Sequence, residues 1–506
     1  MNNKLFKKFS IFMSCLFMFM AVSIPVFATP SIGGNSPSQG SITITKEGSV
    51  FTAYKVMNVI KDGDAYNYTP TDSFKNFFNN PNYGSYTETI LGNIASNSNE
   101  LRDFSSYLHQ YIVDNKVEGI RLNNGQKNIV DLGYYLIAET ETNSEGATVA
   151  SVPILTQVPT VSGGKWNYDI KIKPKDSTPT LEKYIIKDGK KLKTCSTSIG
   201  DKIKFEIDAD VPVYQSNSKN IKYHFTDKLS KGFTFDSKST PVITIGDTTL
   251  SPMKNYIFDA ETSENGETEI NIDFNYDSLK NNAGQPLKIS YEATLTDKAE
   301  QLSTPSDGNT NEVSLQYTKN PDIVGNYNTL TDKVSVYTWR LNILKVDAKL
   351  DKPLQGAEFK LCNDEGEMVG KIVTTDDKGK ISFSGLKEGN YTLIETKAPA
   401  GHKQLQNPIQ LTITPNTDNK GEYTGEAFVD IKCDIFDKTP VAFYMGSSYN
   451  NLTLKVLNFS GYELPNTGGL GTNGFAKTSA IVFGIVCVLG LLGLGYHEID
   501  KRRTNN

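Results

Sequence analysis

The sequence predicts an all-β protein built from tandem antiparallel β-sandwiches, with one helical insertion in the first of them. Three observations predict it. Residues that suit a pleated, half-buried surface are abundant, with 25 Tyr and 25 Phe beside plentiful Thr, Val and Ile. Short segments of alternating polarity recur between clusters of Gly, Asn, Asp and Ser, the pattern of sandwich strands and their turns. A single stretch keeps helical spacing instead.

Taken in order, the chain opens with a basic start at Lys4, Lys7 and Lys8 and an apolar run from Phe9 to Phe27. Val26, Phe27 and Ala28 fit a small-x-small cleavage rule, so residues 1–28 read as a secretory signal and the mature chain starts at Thr29. Strand-like alternation appears at Ser41 to Thr45, Lys202 to Ile207, Glu269 to Phe274, Leu287 to Ala293 and Ser314 to Tyr317. Between Asn97 and Asn115 the apolar positions Leu101, Phe104, Leu108 and Tyr111 fall on one helical face, and Asn97 with Glu100 forms a capping box. Two polar breaks divide the rest. One runs from Lys173 to Pro179 and carries two prolines; the other lies around Asn320 to Asp332. The expected regions are therefore 29–176, 177–336 and 337–463, about what the length suggests. A tail, 464–506, closes the chain: an apolar run from Ala480 to Tyr496, just long enough to span a bilayer, then Lys501, Arg502 and Arg503, expected to stay cytoplasmic.

Composition removes several function classes. Charged residues are 22% and the net charge is -5, so nothing basic invites nucleic acid. Of 5 Cys, Cys15 and Cys487 belong to the terminal apolar segments. Only Cys195, Cys362 and Cys433 remain, too few for a disulfide framework in an exported chain of this size. Cys362 and Cys433 either pair with each other or stay free thiols. His109, His224 and His402 show no ligand spacing, and there is no nucleophile elbow, paired-Cys metal motif or phosphate loop. The expectation is no enzyme, no cofactor and no metal.

Motifs carry the function. Leu464, Pro465, Asn466, Thr467 and Gly468 stand just before the apolar run and the basic tail. Together these resemble the LPxTG wall-sorting signal of Gram-positive surface proteins. The resemblance implies that a sortase cuts after Thr467 and passes its carbonyl to an amine. Trp166, Tyr168, Ile170, Ile172, Pro174 and Lys175 resemble the pilin motif of sortase-assembled shaft subunits, with Lys173 where Tyr is usual. The four alternating residues would share one face of a strand. Pro174 would end the ladder and project Lys175 from a fixed edge as the attacking amine.

Three further segments resemble the Cna-B-type domain: Leu341 to Asp347, Tyr391 to His402, and Leu452 to Asn458. The middle one matches its E-box, except that His402 stands where Tyr is usual. The resemblance implies an isopeptide bond between Lys345 and Asn458, promoted by Glu395. Strand parity tests the idea independently. Lys345 shares its face with Leu341 and Ile343, Asn458 with Leu454 and Val456, and Glu395 with Tyr391 and Leu393. All three point into the core, where unpaired polar groups are costly. Burial makes an amine neutral and nucleophilic, and a carboxyl neutral and able to donate to the Asn carbonyl.

The second region repeats this logic. Thr180 to Lys183, Phe225 to Leu229 and Asn309 to Val313 resemble the middle domain of shaft pilins, implying a Lys183–Asn311 bond with Asp227 as the acid. Asn309 is a rival acceptor. In the first region Lys46 and Glu139 face inward, but Asn167 lies on the face opposite Trp166 and Ile170, so no bond is expected there. Each bond would tie the first strand of a region to its last. Glu395 and Asp227 would act once, on their own chain, which is not turnover.

In order of features the chain resembles a sortase-assembled major (backbone, shaft) pilin of Gram-positive bacteria with tandem immunoglobulin-like domains: an N-terminal pilin domain, a middle Cna-A-like and a C-terminal Cna-B-like one. That implies a secreted, wall-anchored pilus subunit serving adhesion. Its partners would be a pilus-specific sortase, identical subunits, minor pilins with a housekeeping sortase, peptidoglycan and a host surface ligand. A wall-anchored adhesin that is not polymerised is the main rival, and a secreted enzyme the second.

Overall fold

A computed structural model describes residues 37–460, apart from 63–64, 88–90, 92–93, 95–98, 143–147, 175–176, 237, 302–306, 437 and 446–451. The secretory signal, Asn97 of the capping box, Lys175, the sorting residues Leu464 to Gly468 and the C-terminal apolar run lie outside the described residues. Strands dominate, in three successive regions.

In the first region a three-stranded sheet (Asp169–Ile172, Gln39–Ile44, Asn128–Asp131) faces a larger one built on Val50–Asp62 and Gly133–Glu141. The larger sheet is covered on both sides. Phe51, Ala53, Tyr135 and Ile137 pack toward Ile42 and Ile44, while Tyr54, Val56, Leu136 and Ala138 pack toward the helix Asn99–Asp114. That helix buries Leu101, Phe104, Leu108 and Tyr111, the face its spacing predicts. Trp166 to Ile172 does not form one strand. The ladder breaks at Tyr168, because the Asn167 side chain accepts the Asp169 backbone N–H at 3.1 Å and turns the chain. Lys165–Asn167 closes a hairpin, and Asp169–Ile172 runs parallel to Gln39–Ile44. Tyr168 O still accepts Ser41 N–H at 2.7 Å, and Gly40 permits this approach: a Cβ there would sit 2.5 Å from that oxygen.

The second region is a sandwich with two extensive sheets. One contains Leu181–Lys187, Lys202–Asp210 and Pro286–Leu295; the other contains Tyr223–Leu229, Thr268–Phe274, Asn309–Thr318 and Tyr327–Tyr337. The stretch read as a break, Asn320 to Asp332, is half strand. Tyr327–Tyr337 pairs along its length with Asn309–Thr318. Its N-terminal half is polar and largely exposed because it meets the core mainly at its other end, and such strands read as loops.

The third region pairs Lys380–Leu386, Trp339–Asp347, Thr453–Asn458 and Ala442–Tyr444 in one sheet against five strands, Glu358–Cys362 and Gly389–Lys397 among them. Its first strand runs parallel to its last described strand. Among the described residues Cys195, Cys362 and Cys433 are unpaired, so Cys362 and Cys433 form no disulfide here. Among the described residues no helix is long and apolar enough to cross a membrane, and no group of three metal-ligating side chains occurs.

Candidate cross-link sites

In the third region, parallel pairing sets Lys345 opposite Val456 and Asp347 opposite Asn458, and Glu395 arrives from the facing sheet. Their side chains are buried. Glu395 stands between the other two. Its Oε1 lies 3.3 Å from Lys345 Nζ, and its Oε2 lies 3.4 Å from Asn458 Nδ2. The sequence reading has this acid donating to the Asn carbonyl; the geometry sets it against the amide nitrogen. Lys345 Nζ, Glu395 Oε1 and Asn458 Oδ1 all lack a hydrogen-bond partner. Burial pulls the Lys345 amine down from the usual lysine range to about 8, against the opposing pull of Glu395. A poorly solvated amine, a carboxyl and an amide meet in one dry site. Such an arrangement can move a proton from the attacking nitrogen to the leaving nitrogen.

The loop after the E-box completes this site, and strand parity has no view of it. Lys403 O accepts Asn458 Nδ2 at 2.9 Å, Leu405 N donates to Glu395 Oε2 at 2.8 Å, and Gln404 Nε2 donates to Glu395 O at 2.7 Å. His402, in the place of the usual Tyr, contacts Asp347 Oδ2 at 2.8 Å through Nε2. Backbone groups in a loop carry no side-chain signature, so nothing in the sequence marks them.

In the second region Lys183 reaches across the sandwich from one sheet to Asp227 and Asn311 on the other. Lys183 and Asn311 are fully buried and Asp227 nearly so. Lys183 Nζ donates to Asp227 Oδ2 at 2.6 Å, and burial lowers its pKa. A fourth residue joins them. Tyr291 Oη accepts from Lys183 Nζ at 3.2 Å and from Asn311 Nδ2 at 2.7 Å, and donates to Asp227 Oδ2 at 2.7 Å. Sequence reasoning missed Tyr291, yet its signal was present: it alternates with Leu287, Ile289 and Ala293 on the inward face. Asn311 Oδ1 has no partner. The rival Asn309 is occupied: its Oδ1 accepts Glu300 N–H at 2.8 Å, and its Nδ2 donates to Glu300 O and Val336 O at 3.1 and 3.2 Å. Asn311 lies on the strand before the last, so Lys183 and Asn311 do not span first strand to last as expected.

In the first region Lys46 and Glu139 form a buried ion pair at 2.7 Å. Lys46 Nζ also donates to Val149 O at 3.2 Å and Ser151 Oγ at 3.0 Å. Glu139 accepts from Ser49 Oγ and from Ser151 N, both at 2.8 Å. None of these partners is a side-chain amide.

Comparison with known proteins agrees with this architecture. Residues 199–321 match the family described as Gram-positive pilin backbone subunit 2, Cna-B-like domain, and residues 340–427 match a prealbumin-like fold domain. The trypsin-resistant surface T6 protein of Streptococcus pyogenes serotype M6 is 26% identical over 258 residues, 47% of this chain and 46% of that protein. Fimbrial subunit type 2 of Actinomyces naeslundii is 24% identical over 321 residues, 53% of this chain and 57% of that one. The chain thus spans about half the length of the curated relatives it matches. Among solved structures, the three-domain T6 backbone pilin of Streptococcus pyogenes superposes with a TM-score of 0.53 at 18% identity, covering 85% of this chain and 100% of that one. At that identity the match speaks to fold.

Proposed function

We propose, from the matches to a Gram-positive pilin backbone family and a prealbumin-like fold domain, that this chain belongs with the Gram-positive major pilins that carry Cna-B-like domains and is the structural shaft subunit of a covalent surface pilus. Sortase joins Thr467 of one subunit to Lys175 of the next, and the base of the fibre is fixed to the cell wall. The subunit comprises a pilin domain to residue 176, a middle domain to 336, expected from the sequence to be Cna-A-like but matching a Cna-B-like family over residues 199–321, and a Cna-B-like domain to 463. Isopeptide bonds Lys345–Asn458 and Lys183–Asn311 stiffen it. The observation that carries this reading is the pair of dry sites, each holding a lysine, an acid and an asparagine whose carbonyl oxygen has no partner.

The chemistry follows from the geometry. Desolvation favours the neutral form of each lysine amine, and that form attacks the asparagine Cγ. The carboxyl takes a proton from the attacking nitrogen and returns one to Nδ2. The C–N bond to Nδ2 breaks and ammonia leaves. Lysine amine plus asparagine amide give a secondary amide plus ammonia, with no cofactor. The third-region bond would join adjacent parallel strands, and the second-region bond would join the two sheets. Tension would then pass through covalent bonds rather than peel strands.

The test is a comparison of wall extracts boiled in denaturant from wild type and Lys175→Ala, probed with antibody to this protein. The expected result is a high-mass ladder that collapses to monomer in the variant. A ladder that survives moves the linkage to another lysine, such as Lys173. Absence of any ladder with protein still on the wall supports the unpolymerised adhesin.

A further inference from the structure

The two candidate sites solve one problem differently. In the third region a single carboxylate reaches both nitrogens. In the second, Asp227 hydrogen-bonds the lysine, and Tyr291 hydrogen-bonds both Asp227 and Asn311. We infer that Tyr291 is a catalytic proton relay for the Lys183–Asn311 bond, carrying a proton between Asp227 and the departing amide nitrogen. The inference rests on the cross-link reading above and deepens it.

Tyr291 Oη touches both reacting nitrogens, at 3.2 Å from Lys183 Nζ and 2.7 Å from Asn311 Nδ2. Before reaction its O–H points to Asp227 Oδ2 and it accepts from Nδ2. Attack of Nζ on Cγ forms the new C–N bond and turns Nδ2 from an amide donor into an amine with a free lone pair. The Nζ proton passes to Asp227. Tyr291 then gives its proton to Nδ2 and regains one from Asp227, the C–Nδ2 bond breaks, and ammonia departs. Every proton is accounted for, and both Asp227 and Tyr291 end as they began. The hydroxyl is well suited to hold its proton until that moment: burial and the neighbouring Asp227 raise its pKa well above the usual tyrosine value. Its ring is fixed by Phe205 and Phe235, at centroid distances of 5.6 and 5.7 Å, so the oxygen is held in place independently of its hydrogen bonds.

The test is Tyr291→Phe in the full chain, which keeps the ring packing and removes one oxygen. Protein made in a short cell-free pulse is followed by intact mass for ammonia loss, with peptide mapping to separate the Lys183–Asn311 and Lys345–Asn458 products. Positioned proton transfer contributes about 10²–10⁴-fold, so the second-region bond should form at least ~10²-fold more slowly in the variant while the third-region bond keeps its rate. The variant should also lose the part of the heavy-water slowing that belongs to the relay, which a purely positional role for the ring would leave unchanged. A Lys183–Asn311 bond forming at the wild-type rate in Tyr291→Phe overturns the relay. A wild-type chain that never forms this bond overturns the cross-link reading and the relay with it.

Discussion

The first and third regions each bury a lysine against a glutamate, and the two pairs differ in what else they touch. Lys46 meets Glu139 at 2.7 Å and two further oxygens, and both carboxylate oxygens of Glu139 are hydrogen-bonded. Lys345 meets Glu395 at 3.3 Å without hydrogen-bond alignment, and an asparagine stands beside them with a bare carbonyl. A fully satisfied buried ion pair is at rest: every oxygen and the amine within it already have partners. An under-satisfied one costs free energy as it stands and lowers that cost by reacting. The difference lies in the surrounding donors and acceptors rather than in the lysine or the acid. The first pair does different work. Val149 and Ser151, which contact Lys46, flank Ala150, whose N–H donates to Lys319 O of the second region at 2.8 Å, while Val149 N–H donates to Ser177 O at 2.9 Å. The ion pair thus holds the segment that docks one region on the next.

The largest effect should come from Glu395→Gln. Without the carboxyl the third-region bond should fail to form, visible as retained ammonia in the intact mass. A covalent tie closing so long a loop is worth about 4–5 kcal/mol by chain-entropy reasoning, so thermal unfolding should shift downward accordingly. A cross-linked Glu395→Gln chain would break the contrast at once.

Glu139→Gln should leave the mass unchanged and cost about 3–5 kcal/mol in denaturant unfolding, since it strands a buried amine. Ammonia loss mapped to Lys46 in the parent chain would erase the distinction between the two pairs. Asn309→Ala removes an amide that anchors the backbone at Glu300 and Val336. It should cost about 1–3 kcal/mol and leave the Lys183–Asn311 product intact in a peptide map; loss of that product would make Asn309 the acceptor.

The smallest effect is on pH. The Lys345 amine, held at about 8, is protonated and inert below that value and neutral above it. Third-region bond formation should therefore slow by about tenfold per pH unit below 8 and level off above. Newly made protein shifted into graded buffers and followed by mass would show this, and a rate that falls as pH rises through 8 would contradict it.

Much of this molecule could be read from its residues alone. Alternation with a period of two is a local property, so inward-facing Lys183, Asp227, Asn311, Lys345, Glu395 and Asn458 were legible from their apolar neighbours, as was the buried face of the helix at Leu101, Phe104, Leu108 and Tyr111. The misreadings were also local. Asn167 turns a strand that alternation alone would continue, and Tyr327–Tyr337 is polar because half of it meets solvent. What parity says is which way a side chain points; it does not say what waits there. That Asn309 is spent on Glu300 and Val336 while Asn311 keeps a bare carbonyl, that Tyr291 stands between an acid and an amide, and that Lys403 and Leu405 close the third site were decided by the tertiary structure. Those partners come from other strands and from loops, and only packing brings their donors and acceptors within reach.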